Sequence, residues 1–144
     1  MSWDAVILRI RGPIRPVKEV AESEYLPLGS LESVAAAIQS AFPSAEWDDP
    51  THAHGSLDEY TGIIFDLGEC KGYNWVHVSV SGSRDPIPSL LTLANANNWV
   101  ILDIQSGDFI DPANPSHRGW IGYRSLVQGI GGGKSDEGLP SDAP

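Results

Sequence analysis

The sequence predicts one α+β domain. Runs that alternate apolar and polar residues mark strands, and two apolar stripes at helical spacing mark helices. They come in the order strand, helix, strand, strand, helix, strand, which is the ferredoxin-like β-α-β-β-α-β arrangement. Such a chain folds as a single, mainly antiparallel sheet with its helices on one face. The domain is expected over residues 1–124, with an added short C-terminal strand. Residues 125–144, rich in Gly, Ser, Pro and acids, are expected as a flexible tail.

The first strand runs from Trp3 to Ile10, with Val6, Leu8 and Ile10 on the face expected to be buried. Gly12-Pro13 ends it, and Pro13, Pro16 and Pro27 keep Ile14 to Gly29 irregular. Ser30 is suited to cap a helix whose stripe is Leu31, Val34, Ala35, Ile38 and Phe42, and Pro43 stops it. Ser44 to Glu59 reads as a long polar loop. Tyr60 to Leu67 and Tyr73 to Ser81 form a hairpin, burying Ile63, Phe65, Leu67, Val76, Val78 and Val80.

Ser83 to Pro112 is the unit the domain is built around. Asp85 and Pro86 open a helix striped by Leu90, Leu91, Leu93 and Ala94, and Asn95 to Asn98 end it. A strand follows from Trp99, with Val100, Leu102 and Ile104 expected inward and Ile101 and Asp103 outward. Ser106-Gly107 turns the chain into a short strand, Asp108 to Ile110. Beyond it, Trp120, Ile121 and Tyr123 are expected to pack a last element on the domain.

At 144 residues the chain is long enough for one core. Its lone cysteine, Cys70, permits no internal disulfide, which fits a reducing compartment. No signal-peptide pattern opens the chain, and no apolar run nears the ~20 residues of a membrane span. A cytoplasmic location is expected, with no membrane partner. The net charge is −10, and eleven acids with no Lys or Arg lie between Glu19 and Cys70. Such a field repels nucleic acid and attracts a basic protein partner.

Motifs for chemistry are sparse. His52, His54, Asp48 and Asp49 have the chemistry of metal ligands, but their spacing matches no established site, and neither metal nor cofactor is expected. Gly131-Gly132-Gly133-Lys134-Ser135 lacks the first glycine of a phosphate loop, since that position is Gln128. Cys70 sits beside Glu69, which opposes thiolate formation. No catalytic residue is assigned. Two sets of binding residues remain. One is an acidic interface with aromatic anchors: Glu46, Trp47, Asp48, Asp49, Asp58, Glu59 and Trp75. The other is a small-ligand or enzyme site on the open sheet face, made of Arg9, Asp66, His77 and Asp103.

The runs LGSLESVAAAIQSAFPSAEW, GIIFDLG and VHVSVSGSRDPIPSLLTLANANNWVILDIQSGDFID resemble a class of small bacterial proteins. Their domain ends in a strand and turn similar to the W-x-x-x-D-x-x-S-G-x-F-I-D of Trp99 to Asp111. The resemblance spans roughly residues 3 to 112. It implies an immunity protein of a polymorphic or contact-delivered toxin system, one that occludes a cognate basic toxin such as a nuclease. The matching positions are core and turn residues, so no catalytic residue carries over.

Overall fold

The computed structural model describes residues 2–70 and 72–131. Its elements are β1 (Trp3–Ile10), two short 3-10 turns, β2 (Tyr25–Leu26), α1 (Leu31–Ala41), β3 (Glu46–Asp49), β4 (His52–Asp58) and β5 (Thr61–Cys70). After these come β6 (Tyr73–Ser81), α2 (Ile87–Asn97), β7 (Val100–Asp103), β8 (Asp108–Phe109) and α3 (Arg118–Gly131). The protein is α+β, and its eight strands pair antiparallel. The order across the sheet is β3-β4-β5-β6-β1-β7-β8, with β2 pairing the end of β1.

The sheet is larger than the sequence predicts, because Ser44 to Glu59 is not a loop. It holds β3 and β4, which extend the sheet by two strands beyond β5. Alternation explains the difference. Trp47 and Ala53 are cross-strand partners that point toward the core, and the polar residues beside them point away. The polar composition concealed a strand pair with only one thin apolar contact line.

The helices start and stop as their caps dictate. The Ser33 backbone N–H donates to Ser30 Oγ at 3.1 Å and opens α1. Ile87 N–H donates to Asp85 Oδ1 at 2.9 Å ahead of α2, and Asn98, with φ 59°, closes it in the left-handed region. Val34, Ile38 and Phe42 from α1, and Ile87, Leu90, Leu93 and Ala94 from α2, are buried in one core. Trp120 and Tyr123 of α3 join that core, and the Trp3 and Trp120 rings meet edge-on at 6.1 Å. α3 continues to Gly131, past the domain boundary expected at residue 124. Residues 132–144, and with them most of the Gly131–Ser135 run, lie outside the described residues.

The sheet contributes Ile63, Phe65, Val76, Val78 and Val80 to the core, as expected, with Leu67 packed at its margin. On β1 and β7 the buried face is the opposite of the expected one. Trp3, Ala5, Ile7 and Ile101 are in the core, while Val6, Val100 and Leu102 sit half-buried on the other face and Ile104 is exposed. The register requires this, because Ala5 stands opposite Val78 and Ile101 opposite Ile7. Leu8, Ile10 and Val20 are buried as well, but apart from the main core. The irregular segment that holds Val20 is tied to β8 by the Val17 N–H, 3.3 Å from Asp108 Oδ1.

Candidate functional site

The open-face set of Arg9, Asp66, His77 and Asp103 does not assemble. Asp66 and His77 are cross-strand partners on the open face. Asp103 is on the opposite, helix-covered face and only 2% exposed. Its carboxylate accepts from Trp3 Nε1 at 3.2 Å and from Gln105 N–H at 2.9 Å. Burial pushes its pKa up, and these hydrogen bonds pull against that rise. Gly119 of α3 lies directly on it, where any Cβ would collide with both carboxylate oxygens. Asp103 therefore joins sheet to helix and does not reach the open face. Arg9 is exposed at the end of β1, about three residues and roughly 10 Å along the strand from the partner of His77. It lines a separate groove with Arg11, Leu26, Asn95, Asn98 and Trp99.

What the open face does assemble is a ladder of histidines and carboxylates. His52 and His54 lie on β4, one strand in from the edge, with both rings on the same side. His52 Nδ1 stands 2.5 Å from Asp66 and its Nε2 3.4 Å from Asp48, while His54 Nε2 is 3.5 Å from the same Asp48. The Asp66 hydrogen bond raises the His52 pKa above its ordinary 6.5, and the charges of Asp66, Asp48 and Asp49 add to that. Further along, Asp4 accepts from Ser79 Oγ at 2.6 Å and sits 3.6 Å from His77 Nε2. The carboxylate thus separates the hydroxyl from the imidazole, whereas a nucleophile must touch its base. The side chains of this ladder are between 32% and 56% exposed, so water screens every pair. Among the described residues no three or more His, Cys, Asp or Glu are placed to hold a metal ion.

The acidic interface set divides into four places. Glu46, Asp48 and Asp49 are exposed on β3, the edge strand. Asp58 is the last residue of β4 and Glu59 follows it, roughly 20 Å from His52 along the strand. Trp75 is on the open face, flat over Gly68, where a Cβ would come within 2.7 Å of the indole. Trp47 points to the opposite face, toward α1 and the core. The two tryptophans therefore cannot anchor one flat partner together.

Trp47 is held firmly. Its Nε1 can only donate, and it donates to Gln39 Oε1 at 2.8 Å. The Gln39 amide nitrogen in turn donates to the Pro43 and Ala45 carbonyls, at 3.2 and 3.1 Å. Beside the ring a cleft of about 470 Å³ opens between α1 and the β3–β4 hairpin, lined by the apolar Leu31, Ala35, Trp47 and Pro50 and by the acids Glu32 and Asp49. Trp47 and Asp49 of this cleft are among the residues expected from sequence, whereas its α1 side is not. The signal was present in Leu31 and Ala35, one helical turn apart at the margin of the α1 stripe. No helix among the described residues is long and apolar enough to cross a membrane. No family model, curated protein or solved structure matches the chain.

Proposed function

We propose that this chain is a non-enzymatic binding protein that docks a basic protein along its β3 edge. We infer further that the partner is a toxin which it occludes, as the immunity-protein resemblance implies. One observation carries the reading: of the four residues in the edge strand, Glu46, Asp48 and Asp49 are exposed acids and Trp47 is a fixed aromatic. No Lys or Arg lies from Glu19 to Cys70, and among the described residues the ion-pair partners of Asp48 are His52 and His54. A basic substrate groove would be drawn to this edge and covered by it, which is occlusion without chemistry. The strand order β5-β6-β1-β7, with α1 and α2 on one face, supports a ferredoxin-like centre extended by added strands. The reading places the protein in the cytoplasm, without cofactor, and away from nucleic acid, which its net charge of −10 repels.

Charge on an edge strand also prevents edge-to-edge aggregation, so the test must separate binding from solubility. The native chain and an E46K/D48K/D49K variant are each used to capture partners from the source cells, at low and high salt. The expected result is one stoichiometric basic protein, weakened by salt and lost with the variant while the variant remains monomeric. That protein alone should arrest growth, and co-expression of the chain should relieve the arrest. Equal capture by both forms, or a partner that is harmless when expressed alone, would overturn the reading.

A further inference from the structure

We propose that the cleft beside Trp47 takes one long cationic side chain, an arginine or lysine from a basic segment of the partner protein. The inference rests on the proposed docking at β3 and says which contact gives it specificity. The cleft is lined by four apolar residues and two acids. Leu31, Ala35, Trp47 and Pro50 offer apolar surface for methylenes, and the Trp47 ring is an aromatic partner for a guanidinium or ammonium. Glu32 and Asp49 are exposed and line the same cleft, so a cationic head seated there meets two carboxylates.

Charge decides the occupant. A neutral apolar side chain would desolvate both carboxylates without pairing them, which is unfavourable. A cationic one pairs them. Asp48 next door already faces His52 and His54, whereas Glu32 has no charged partner among the described residues. Asp49 is fixed by hydrogen bonds from Thr51 N–H at 2.7 Å and Thr51 Oγ1 at 2.8 Å. The Thr51 backbone bond is the main reason its carboxyl stays below the usual range and hence ionised. The Gln39 clamp on Trp47 means that the wall is ordered before binding.

The test follows the indole N–H resonances of the whole chain by NMR while a hexa-arginine peptide is added. A hexa-citrulline peptide of the same shape but no charge is the control. Saturable shifts at Trp47 and the Leu31 methyls with arginine alone, and about tenfold weaker binding in E32Q/D49N, are expected. The Asn at position 49 keeps an acceptor for Thr51, so the fold survives the substitution. If hexa-arginine binds but these resonances stay still and E32Q/D49N binds as well as the native chain, the cleft assignment fails and the acidic edge stands. If no peptide binds, both fail. Equal shifts with citrulline would mean an apolar pocket and overturn the assignment. Concentration-dependent shifts without peptide, with a doubled hydrodynamic mass, would make the occupant a second copy and overturn it too.

Discussion

Two rows of side chains cross this sheet one residue apart. The first runs Trp47, Ala53, Phe65, Val78, Ala5, Asp103, and the second His52, Asp66, His77, Val6, Leu102, Phe109. They share strands, register and hydrogen-bond ladder. The first is roofed by α1, α2 and α3 and is dry from Ala53 to Asp103. The second faces away, with solvated pairs at one end and half-buried apolar residues at the other. A carboxylate occurs in each row. In the dry row Asp103 is kept by Trp3 and two backbone N–H groups, and its ionised form is disfavoured. In the wet row Asp66 favours a charged neighbour, His52. The same residue type is an internal joint on one face and a surface charge partner on the other, and position relative to the helices is what separates the two.

The largest effect that tests this contrast is in adjacent residues of β5. Phe65 is fully buried, with its ring 5.1 Å from that of Phe42, and Phe65→Ala should cost about 3–5 kcal/mol. Ile64, 40% exposed on the other face, should cost about 0.5 kcal/mol as Ile64→Ala. Urea unfolding measures both, and similar losses would mean that the faces are not so different.

Asp103 comes next. Asp103→Ala strands the Trp3 indole N–H and the Gln105 N–H, a loss of about 1–3 kcal/mol. Asp103→Asn keeps an acceptor and should lose much less at acid pH. Because folding raises this carboxyl above its ordinary 3.8, ionising it costs more in the folded state than in the unfolded one. The native protein should therefore lose ground to Asp103→Asn as pH rises through the interval between 3.8 and the raised folded value. Urea midpoints that move in parallel for the two proteins would contradict this.

The smallest effect lies on the wet row. His52 is raised above 6.5, so its favourable contribution is full below 6.5 and fades as pH climbs through the folded value. Asp66→Asn should bring the His52 titration, followed by NMR, down toward 6.5, since Asp66 is the first cause of the rise. An unchanged midpoint would show that Asp48 and Asp49 hold the imidazole instead.

Legibility in the sequence followed how one-sided each segment is. The hairpin of β5 and β6 is readable because Ile63, Phe65, Val76, Val78 and Val80 recur at every second position, interrupted by polar residues at all but Ile64. Helices α1 and α2 are readable from their stripes and from Ser30, Asp85 and Pro43, whereas α3 shows in sequence only as the apolar Trp120, Ile121 and Tyr123. β1 and β7 were found but turned over, since VILRI and WVILDI are apolar on both faces and alternation cannot choose between them. The acidic edge has the composition of a loop, so sequence groups its acids with Trp47 by nearness and adds Trp75 only as an aromatic of the open face.

By itself, then, the sequence determined the order of β1, α1, β5, β6, α2, β7 and β8, the helix caps and the uneven charge, because each depends on residues within a turn or a strand of one another. Tertiary structure decided which face of β1 and β7 is buried, where Asp103 goes and which acids share an edge with Trp47. These depend on partners far away in the chain. Trp3 and Asp103 meet across 100 positions, and Gly119 must leave room for both, which no local pattern encodes.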